Sequence, residues 1–229
     1  MTLPGVELIR LESEDEVASV VADELVAAAR AGRAIVLTGG TTPGHAYELA
    51  AEREPDWSRA SVWWGDERCV PPEDERSNFR LAREALLDRL SVAPREVHRI
   101  EGELGGEAAA AAYDRALDKV VLDLVLLGIG SDGHAASLFP DEPTLDERSR
   151  RAIPAEAKLD PFVERVTLTL PVLCTAPDVL FMVTGEAKAE AMARSFGRPP
   201  ARDTPASLIR SANGRTRVVA DAAAASRLD

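Results

Sequence analysis

The sequence predicts an α/β fold: a Rossmann-like, doubly wound, mostly parallel sheet with helices on both faces, in a single domain over residues 1–229. Short, almost wholly apolar runs, typical of strands buried on both faces, alternate along the chain with amphipathic helical patterns. Glycine-rich or charged segments follow these runs, and open α/β sheets bind their ligands at the carboxyl ends of strands. The order βαβαβαβ therefore favours parallel strands joined by right-handed crossovers.

Composition narrows the classes of function. The chain has 229 residues, of which 45% are hydrophobic and 29% charged, as in an ordinary globular protein. Its net charge of −12 argues against nucleic acid or an anionic membrane as a partner, because both require a basic surface. Cys69 and Cys174 form neither a metal-ligand spacing nor a disulfide framework, which fits a reducing compartment. With no signal peptide and no membrane-length apolar run, the expected location is the cytoplasm, as a monomer or homodimer.

The first part of the chain leads to a glycine-rich loop. Ser13 and Glu16 form a capping-box pattern that begins a helix, and residues 34–37 predict a strand. The loop TGGTTP at 38–43 follows, and Pro43 suits the first position of the next helix. Glycine N–H groups, threonine hydroxyls and a helix N-terminus together can hold a phosphate. A plain tight turn is the alternative, because the loop lacks the lysine of a P-loop.

A charged cluster ends the next predicted strand. Residues 61–64 predict a buried strand, and GDER at 65–68 follows it. The alternative to a functional cluster is a surface loop of salt bridges, which would contribute little to stability. Ser77 suits the N-cap of the following helix. Residues 97–100 then predict a weak strand with His98 exposed, and an alanine-rich helix spans 107–117.

The strand over residues 123–127 ends in the loop with the strongest indications of chemistry, which contains Ser131, Asp132 and His134. Its glycines spell GxGxxG, the dinucleotide fingerprint, but that motif needs an acidic residue about 20 positions further on. An isoleucine and a proline lie there instead, so no nucleotide cofactor is predicted. An imidazole titrates near neutral pH, which makes His134 the candidate general base. A structural histidine that caps the loop is the alternative.

Beyond this loop the patterns are weaker. A loop or lid is predicted over residues 141–150, and an edge strand over 152–154. A half-buried strand is predicted over 165–170, a buried strand over 178–184 and the last strand over 217–220. Short helices are predicted at 205–207 and in the tail from Asp221. Lys188 is unusual for its position at the opening of a helix. The helix dipole disfavours a cation there unless an anion lies between them.

Six motifs in sequence order resemble those of the 6-phosphogluconolactonase family. They are TGGTTP at 38–43, GDERCVP at 65–71, SN at 77–78, LLGIGSDGHAASLFP at 126–140, RVTLTLP at 165–171 and TGEAK at 184–188. The resemblance spans nearly the whole chain and implies a fold shared with glucosamine-6-phosphate deaminase, ribose-5-phosphate isomerase and coenzyme A transferases. The deaminases carry a similar DGH loop that continues toward Asn-Glu-Pro, whereas AASLFP follows His134 here and favours the lactonase. Thr38 and Thr41 stand where serine is common, and His45 stands at an ordinary helix position.

The resemblance implies hydrolysis of 6-phospho-D-glucono-1,5-lactone, the second step of the oxidative pentose phosphate pathway, without cofactor or metal. His134 would be the general base, Asp132 would orient it, and Arg68 would stabilise the oxyanion or contact a second anion. The expected substrate- and phosphate-binding residues are Gly39, Gly40, Thr41, Thr42, Asp66, Arg165 and Lys188. Two alternatives are a deaminase of the same fold and a sugar-phosphate-sensing effector domain. A sensing domain of a transcription regulator would need a DNA-binding helix pair, and the sequence does not supply one.

Overall fold

The computed structural model describes residues 5–158, 160 and 162–228. Its strands are β1 (Glu7–Leu11), β2 (Ala34–Leu37), β3 (Ser61–Trp64), β4 (Asp66–Arg68), β5 (Glu96–His98), β6 (Leu124–Leu127), β7 (Ala152–Ala155), β8 (Arg165–Leu168), β9 (Asp178–Val183) and β10 (Arg215–Asp221). Its α-helices are α1 (Glu14–Arg30), α2 (Thr41–Arg53), α3 (Asn78–Ala85), α4 (Gly106–Ala116), α5 (Leu170–Thr175) and α6 (Ala189–Phe196). Short 3₁₀ helices lie at Leu87–Arg89, Gly102–Leu104, Pro143–Asp146, Glu186–Lys188 and Pro205–Leu208.

Seven strands form one sheet in the order β1-β10-β9-β6-β2-β3-β5, and every neighbouring pair in it is parallel. All residues of β3, β6 and β9 are buried. Successive residues of a strand point to opposite faces, so both faces of the central sheet are covered. The predicted α/β fold with a mostly parallel sheet is confirmed.

The strand order reverses beside β2, and this reversal locates a crevice. From β2 the chain proceeds to β3 and β5 on one side, whereas β6 lies on the other side of β2 and leads to β9 and β10. The loops after β2 and β6 therefore diverge at the carboxyl edge of the sheet. Open α/β sheets bind ligands at such a switch point.

A second sheet was not predicted from the sequence. Its order is β4-β8-β7, and both pairs are antiparallel. The charged segment after β3, interpreted above as a loop, is one of its strands. Every residue of β8 is buried, so the expectation of a half-buried strand is wrong. One reason is that Ser137 of the loop after β6 donates its backbone N–H to Thr167 Oγ1 within β8, at 3.1 Å.

The predicted helix starts and the two terminal segments of the chain can be compared with the structure. Ser13 and Ser77 cap α1 and α3 as predicted. The side chain of each serine accepts a hydrogen bond from the backbone N–H three residues later in the chain. Pro43 is the third residue of α2, not the first, because that helix already begins at Thr41. The edge strand β1 was not predicted, and residues 222–227 form turns where a helix was expected.

The amino edge of the main sheet holds a buried ion network. Arg217 Nη2 lies 2.9 Å from Asp178 Oδ2 and 2.8 Å from Glu24 Oε2 of α1. Because these residues sit at the starts of β9 and β10 and on α1, the network lies opposite the carboxyl edge and fastens α1 to the sheet. Among the described residues, no helix has the length and apolar character needed to span a membrane.

Candidate active site

A cleft of about 180 Å³ opens at the carboxyl edge of the main sheet, at the switch point between β2 and β6. The loops after the three parallel strands β2, β6 and β9 line it, together with residues of β4 and β8 from the second sheet and Asn78 of α3. Of the predicted site residues, the cleft brings together Gly39, Gly40, Asp66, Arg68, His134, Arg165 and Lys188. For the loops after the parallel strands this convergence is what the topology predicts, since the carboxyl ends of those strands share one edge.

His134 and Asp132 form a hydrogen-bonded pair in the loop after β6. His134 Nδ1 lies 2.6 Å from Asp132 Oδ1, and the backbone N–H of His134 donates to the same oxygen at 3.1 Å. The imidazole also packs against Phe139, with ring centroids 4.8 Å apart. With Nδ1 held by the carboxylate, the lone pair of a neutral imidazole belongs to Nε2.

The glycines of this loop allow the pair to form. A Cβ on Gly130 would overlap the imidazole of His134 and approach the Asp132 carboxylate. The loop also closes on itself, because Gly130 N–H donates to the His134 carbonyl at 2.8 Å and its own carbonyl accepts from Gly133 N–H at 3.0 Å. Residues two positions apart therefore face each other here. Gly130 and Gly133 of the GxGxxG motif therefore shape the loop around the histidine.

The electrostatic surroundings of the pair favour the ionised form of Asp132. Burial alone would raise the pKa of Asp132, but the hydrogen bond and the charge of His134 lower it by more, so that the net shift is downward. At neutral pH Asp132 is therefore ionised. An ionised carboxylate on Nδ1 fixes the tautomer and stabilises an imidazolium once a proton is taken up.

The GDER segment is buried, so its interpretation as a surface salt-bridge loop is wrong. Asp66 and Glu67 expose only 5% and 3% of their surface. Ser137 Oγ donates to Asp66 Oδ2 at 2.6 Å, which ties the segment to the loop that carries His134. Arg68 Nη1 donates to the carbonyl of Arg76 at 2.8 Å and to the side-chain oxygen of Asn78.

Arg165 lies opposite Arg68 across the two antiparallel strands β4 and β8. Its guanidinium sits over the ring of Phe139, 5.7 Å from the centroid, and the same ring packs against the imidazole of His134. Burial lowers the pKa of Arg165, the nearby Asp66 carboxylate opposes the shift, and the charge of Arg68 adds to it. Two guanidinium groups and a histidine thus border the same part of the cleft.

The glycine loop and Lys188 border an adjoining part of the cleft. Gly40 precedes α2 with a φ of 105°, a backbone conformation that favours glycine. Thr42 Oγ1 lies 3.2 Å from Thr184 Oγ1, and both threonines line this part together with Lys188. Thr184 was missed as a site residue, although it belongs to the TGEAK motif. The side chain of Thr41 lies outside the described part of the structure.

Lys188 ends the 3₁₀ turn before α6. It forms no ion pair within 4.0 Å among the described residues. Burial lowers its pKa, and the charge of Asp132 partly opposes that shift. Lys188 lines both parts of the cleft, so a ligand that spans them would pass its ammonium group.

The two other histidines lie apart from this cleft. His45 approaches the Asp15 carboxylate at 3.5 Å, on the solvent side of α2. His98 is half-buried and stacks on Trp63 at 3.9 Å, so the expectation that it is exposed is wrong. Within the described residues, no group of three or more His, Cys, Asp or Glu side chains is arranged to hold a metal ion.

Comparison with known proteins agrees with this fold. The family model for glucosamine-6-phosphate isomerases/6-phosphogluconolactonase matches residues 12–218. A 6-phosphogluconolactonase of Mycobacterium leprae is 40% identical over 194 residues, which cover 78% of each chain. The structure of 6-phosphogluconolactonase from Trypanosoma cruzi superimposes with a TM-score of 0.87 at 26% identity, over 97% of this chain and 96% of that one. A monomeric glucosamine-6-phosphate deaminase reaches a TM-score of 0.85 at 19% identity, covering 96% of this chain and 99% of that one, which reflects the shared fold alone. The chain belongs to the glucosamine-6-phosphate isomerase/6-phosphogluconolactonase family.

Proposed function

We propose that this chain hydrolyses 6-phospho-D-glucono-1,5-lactone to 6-phospho-D-gluconate, the second step of the oxidative pentose phosphate pathway. The observation that carries the proposal is the His134–Asp132 pair, joined at 2.6 Å in a cleft that Arg68, Arg165 and Lys188 also line. A base can activate the water that attacks the lactone, and a cluster of cations can bind its phosphate group and stabilise the oxyanion. The M. leprae relative named for this activity, 40% identical, adds support.

In the proposed mechanism His134 acts twice. Nε2 takes a proton from a water molecule as the water oxygen attacks the lactone carbonyl, forming a tetrahedral oxyanion. The bond from this carbon to the ring oxygen then breaks, and the imidazolium returns its proton to that oxygen. Asp132 stabilises the intervening imidazolium through Nδ1. Arg68, with Arg165 opposite it, supplies positive charge for the oxyanion.

The phosphate is assigned to the other part of the cleft. Backbone N–H groups of the loop at Gly39 and Gly40, the Thr42 hydroxyl and the Lys188 ammonium border that part. Thr41, the first residue of α2, stays a predicted phosphate-binding residue. Asp66 is an anion, so we assign it to hydroxyl groups of the sugar; Arg165 would contact the substrate from the opposite side.

The hydrolysis is proposed to need no metal. A lactone is already an activated ester, and a general base together with positively charged groups provides for both the attack and the oxyanion. Exhaustive chelation is therefore expected to leave turnover unchanged. Activity that disappears on chelation and returns with added zinc or magnesium would contradict this part of the proposal.

The decisive assay follows proton release from freshly generated 6-phosphogluconolactone, with the spontaneous hydrolysis rate subtracted. A rate well above that background is expected, and His45→Ala serves as a matched histidine control that should retain it. In parallel, glucosamine 6-phosphate is offered and ammonia is measured. Ammonia release without lactone hydrolysis would identify the chain as a deaminase and refute the proposal.

A further inference from the structure

The side chain of Asn78, the first residue of α3, is fully committed to protein contacts. Only 1% of its surface is exposed. Its amide nitrogen donates to the Asp66 carbonyl at 2.8 Å and to Asp66 Oδ1 at 3.3 Å, while its amide oxygen accepts from Arg68 Nη1. Both amide hydrogens and the acceptor oxygen are therefore used within the protein. The side chain of Asn78 is thus hydrogen-bonded to both Asp66 and Arg68 at the cleft.

Asn78 also lies against the glycine loop. A Cβ on Gly39 would overlap the side-chain amide of Asn78, so the loop and the amide are in direct contact. The amide oxygen, which lies nearest the loop, also accepts a hydrogen bond from Arg68 Nη1. Asn78 is thus the physical link between the loop assigned to the phosphate and the guanidinium assigned to the oxyanion.

A buried carboxylate holds this link in place. Glu67 accepts the backbone N–H groups of Arg68, Asn78 and Phe79, each at 2.7 Å, and the hydroxyl of Ser77 at 3.0 Å. One carboxylate therefore fixes the backbone of Arg68 and the first turn of α3 relative to each other. The position of the Asn78 amide relative to Arg68 follows from this anchor.

Arg68 has few other restraints on its side chain. Besides Asn78, its guanidinium donates to the Arg76 carbonyl at 2.8 Å, and its buried Nε has no hydrogen-bond partner among the described residues. An arginine has several rotatable bonds, and a guanidinium acts on a developing charge only when it is held in place. Removing Asn78 would leave one of the two described restraints.

We propose that Asn78 is a positioning residue for Arg68, holding the guanidinium at a fixed distance from the glycine loop so that it meets the reacting carbonyl of a substrate whose phosphate is bound there. This inference rests on the proposed function for its catalytic consequence, while the placement of Arg68 itself can be measured without any turnover.

The first arm of the test is a double-mutant cycle. Asn78→Ala is expected to lower kcat/KM for the lactone about tenfold or more, the size of a lost hydrogen bond to a charged group. In an Arg68→Met background the same substitution should change kcat/KM by less than about twofold, because its effect passes through Arg68. Asn213→Ala is the matched control: it removes an exposed asparagine side chain just before β10, at the amino edge of the sheet, and should leave kcat/KM unchanged in both backgrounds. Additive losses for Asn78→Ala would overturn the proposal. Should Asn78→Ala fail to fold, Asn78→Ser takes its place in the cycle.

The second arm observes Arg68 directly. In ¹⁵N-labelled protein the Arg68 Nε–H signal is assigned by its disappearance in Arg68→Met. We expect a dispersed signal that moves toward the position of a free arginine side chain in Asn78→Ala and stays in place in Asn213→Ala. A signal unchanged by Asn78→Ala overturns the proposal whether or not the enzyme is active. Absence of lactone hydrolysis by the unmodified chain would instead refute the proposed function alone.

Discussion

Lys188 provides the sharpest test of how the substrate is held. Its ammonium is half-buried, it forms no ion pair within 4.0 Å among the described residues, and burial lowers its pKa. Lys188→Met keeps most of the side-chain volume and removes this charge. The glycine loop and the Thr42 hydroxyl remain, so the change deletes one charge-assisted contact to the phosphate. Such a contact contributes about 1.5 to 3 kcal/mol, which corresponds to a loss of about 10- to 150-fold in kcat/KM.

The assay compares two substrates that differ only at the remote end. Lys188→Met should reduce kcat/KM for 6-phosphogluconolactone by that factor and leave unphosphorylated gluconolactone almost unaffected. Lys119→Met is the control, because Lys119 is an exposed lysine in the turn before β6, at the amino edge of the sheet. Equal losses on both substrates would show that Lys188 acts on the fold or on the chemical step, and the phosphate assignment would fail.

Three further predictions concern the base, its loop and the ion network. Replacing His134 with Ala is expected to lower kcat about 10²- to 10⁴-fold with little change in KM, in steady-state assays; turnover near that of the unmodified chain would remove it from the mechanism. Gly130→Ala should reduce activity strongly, because the added methyl overlaps the imidazole, whereas Gly44→Ala inside α2, where a Cβ meets a side chain at 3.4 Å, should be nearly neutral. The hydrogen bond from Arg217 lowers the pKa of Glu24 against the effect of burial, so its stabilisation is present above the unfolded pKa of about 4.3 and is lost as pH falls through the lower folded value. Glu24→Gln should therefore lessen the fall in unfolding free energy between about pH 6 and pH 3 in urea titrations, and an unchanged fall would exclude this pair as a source of acid sensitivity.

The main sheet could be predicted because its signals are local. The strands at 61–64 and 124–127 are apolar at nearly every position, and such runs need no knowledge of their partners to be recognised. The convergence of the loops followed from topology, since parallel strands present their carboxyl ends at one edge. In contrast, β1 is an edge strand whose residues are exposed or half-buried, and its charged positions conceal it.

The second sheet and the inner contacts of the site could not be predicted in the same way. The segment Asp66–Arg68 is three charged residues long and becomes a strand only through pairing with β8, about 100 positions further on. The side chain of Asn78 contacts Asp66 and Arg68, which lie 12 and 10 positions earlier in the chain. Likewise, Ser137 meets Asp66 only because the loop after β6 folds back. Tertiary hydrogen bonds of this kind leave no periodic pattern in a sequence.

The charges of the cleft explain why a strongly acidic chain can favour an anionic substrate. Arg68 and Arg165 lie opposite each other across antiparallel strands, and like charges in that relation are destabilising. Burial lowers the pKa values of Arg165 and Lys188, which means that their surroundings disfavour the charged forms. In the proposed function the phosphate carries about −1.5 to −2 charges at neutral pH, whereas the lactone ring is neutral. An anion near these groups replaces repulsion by attraction, so the preference for the phosphorylated lactone is expected to arise from charge at this edge of the sheet and not from the shape of the sugar.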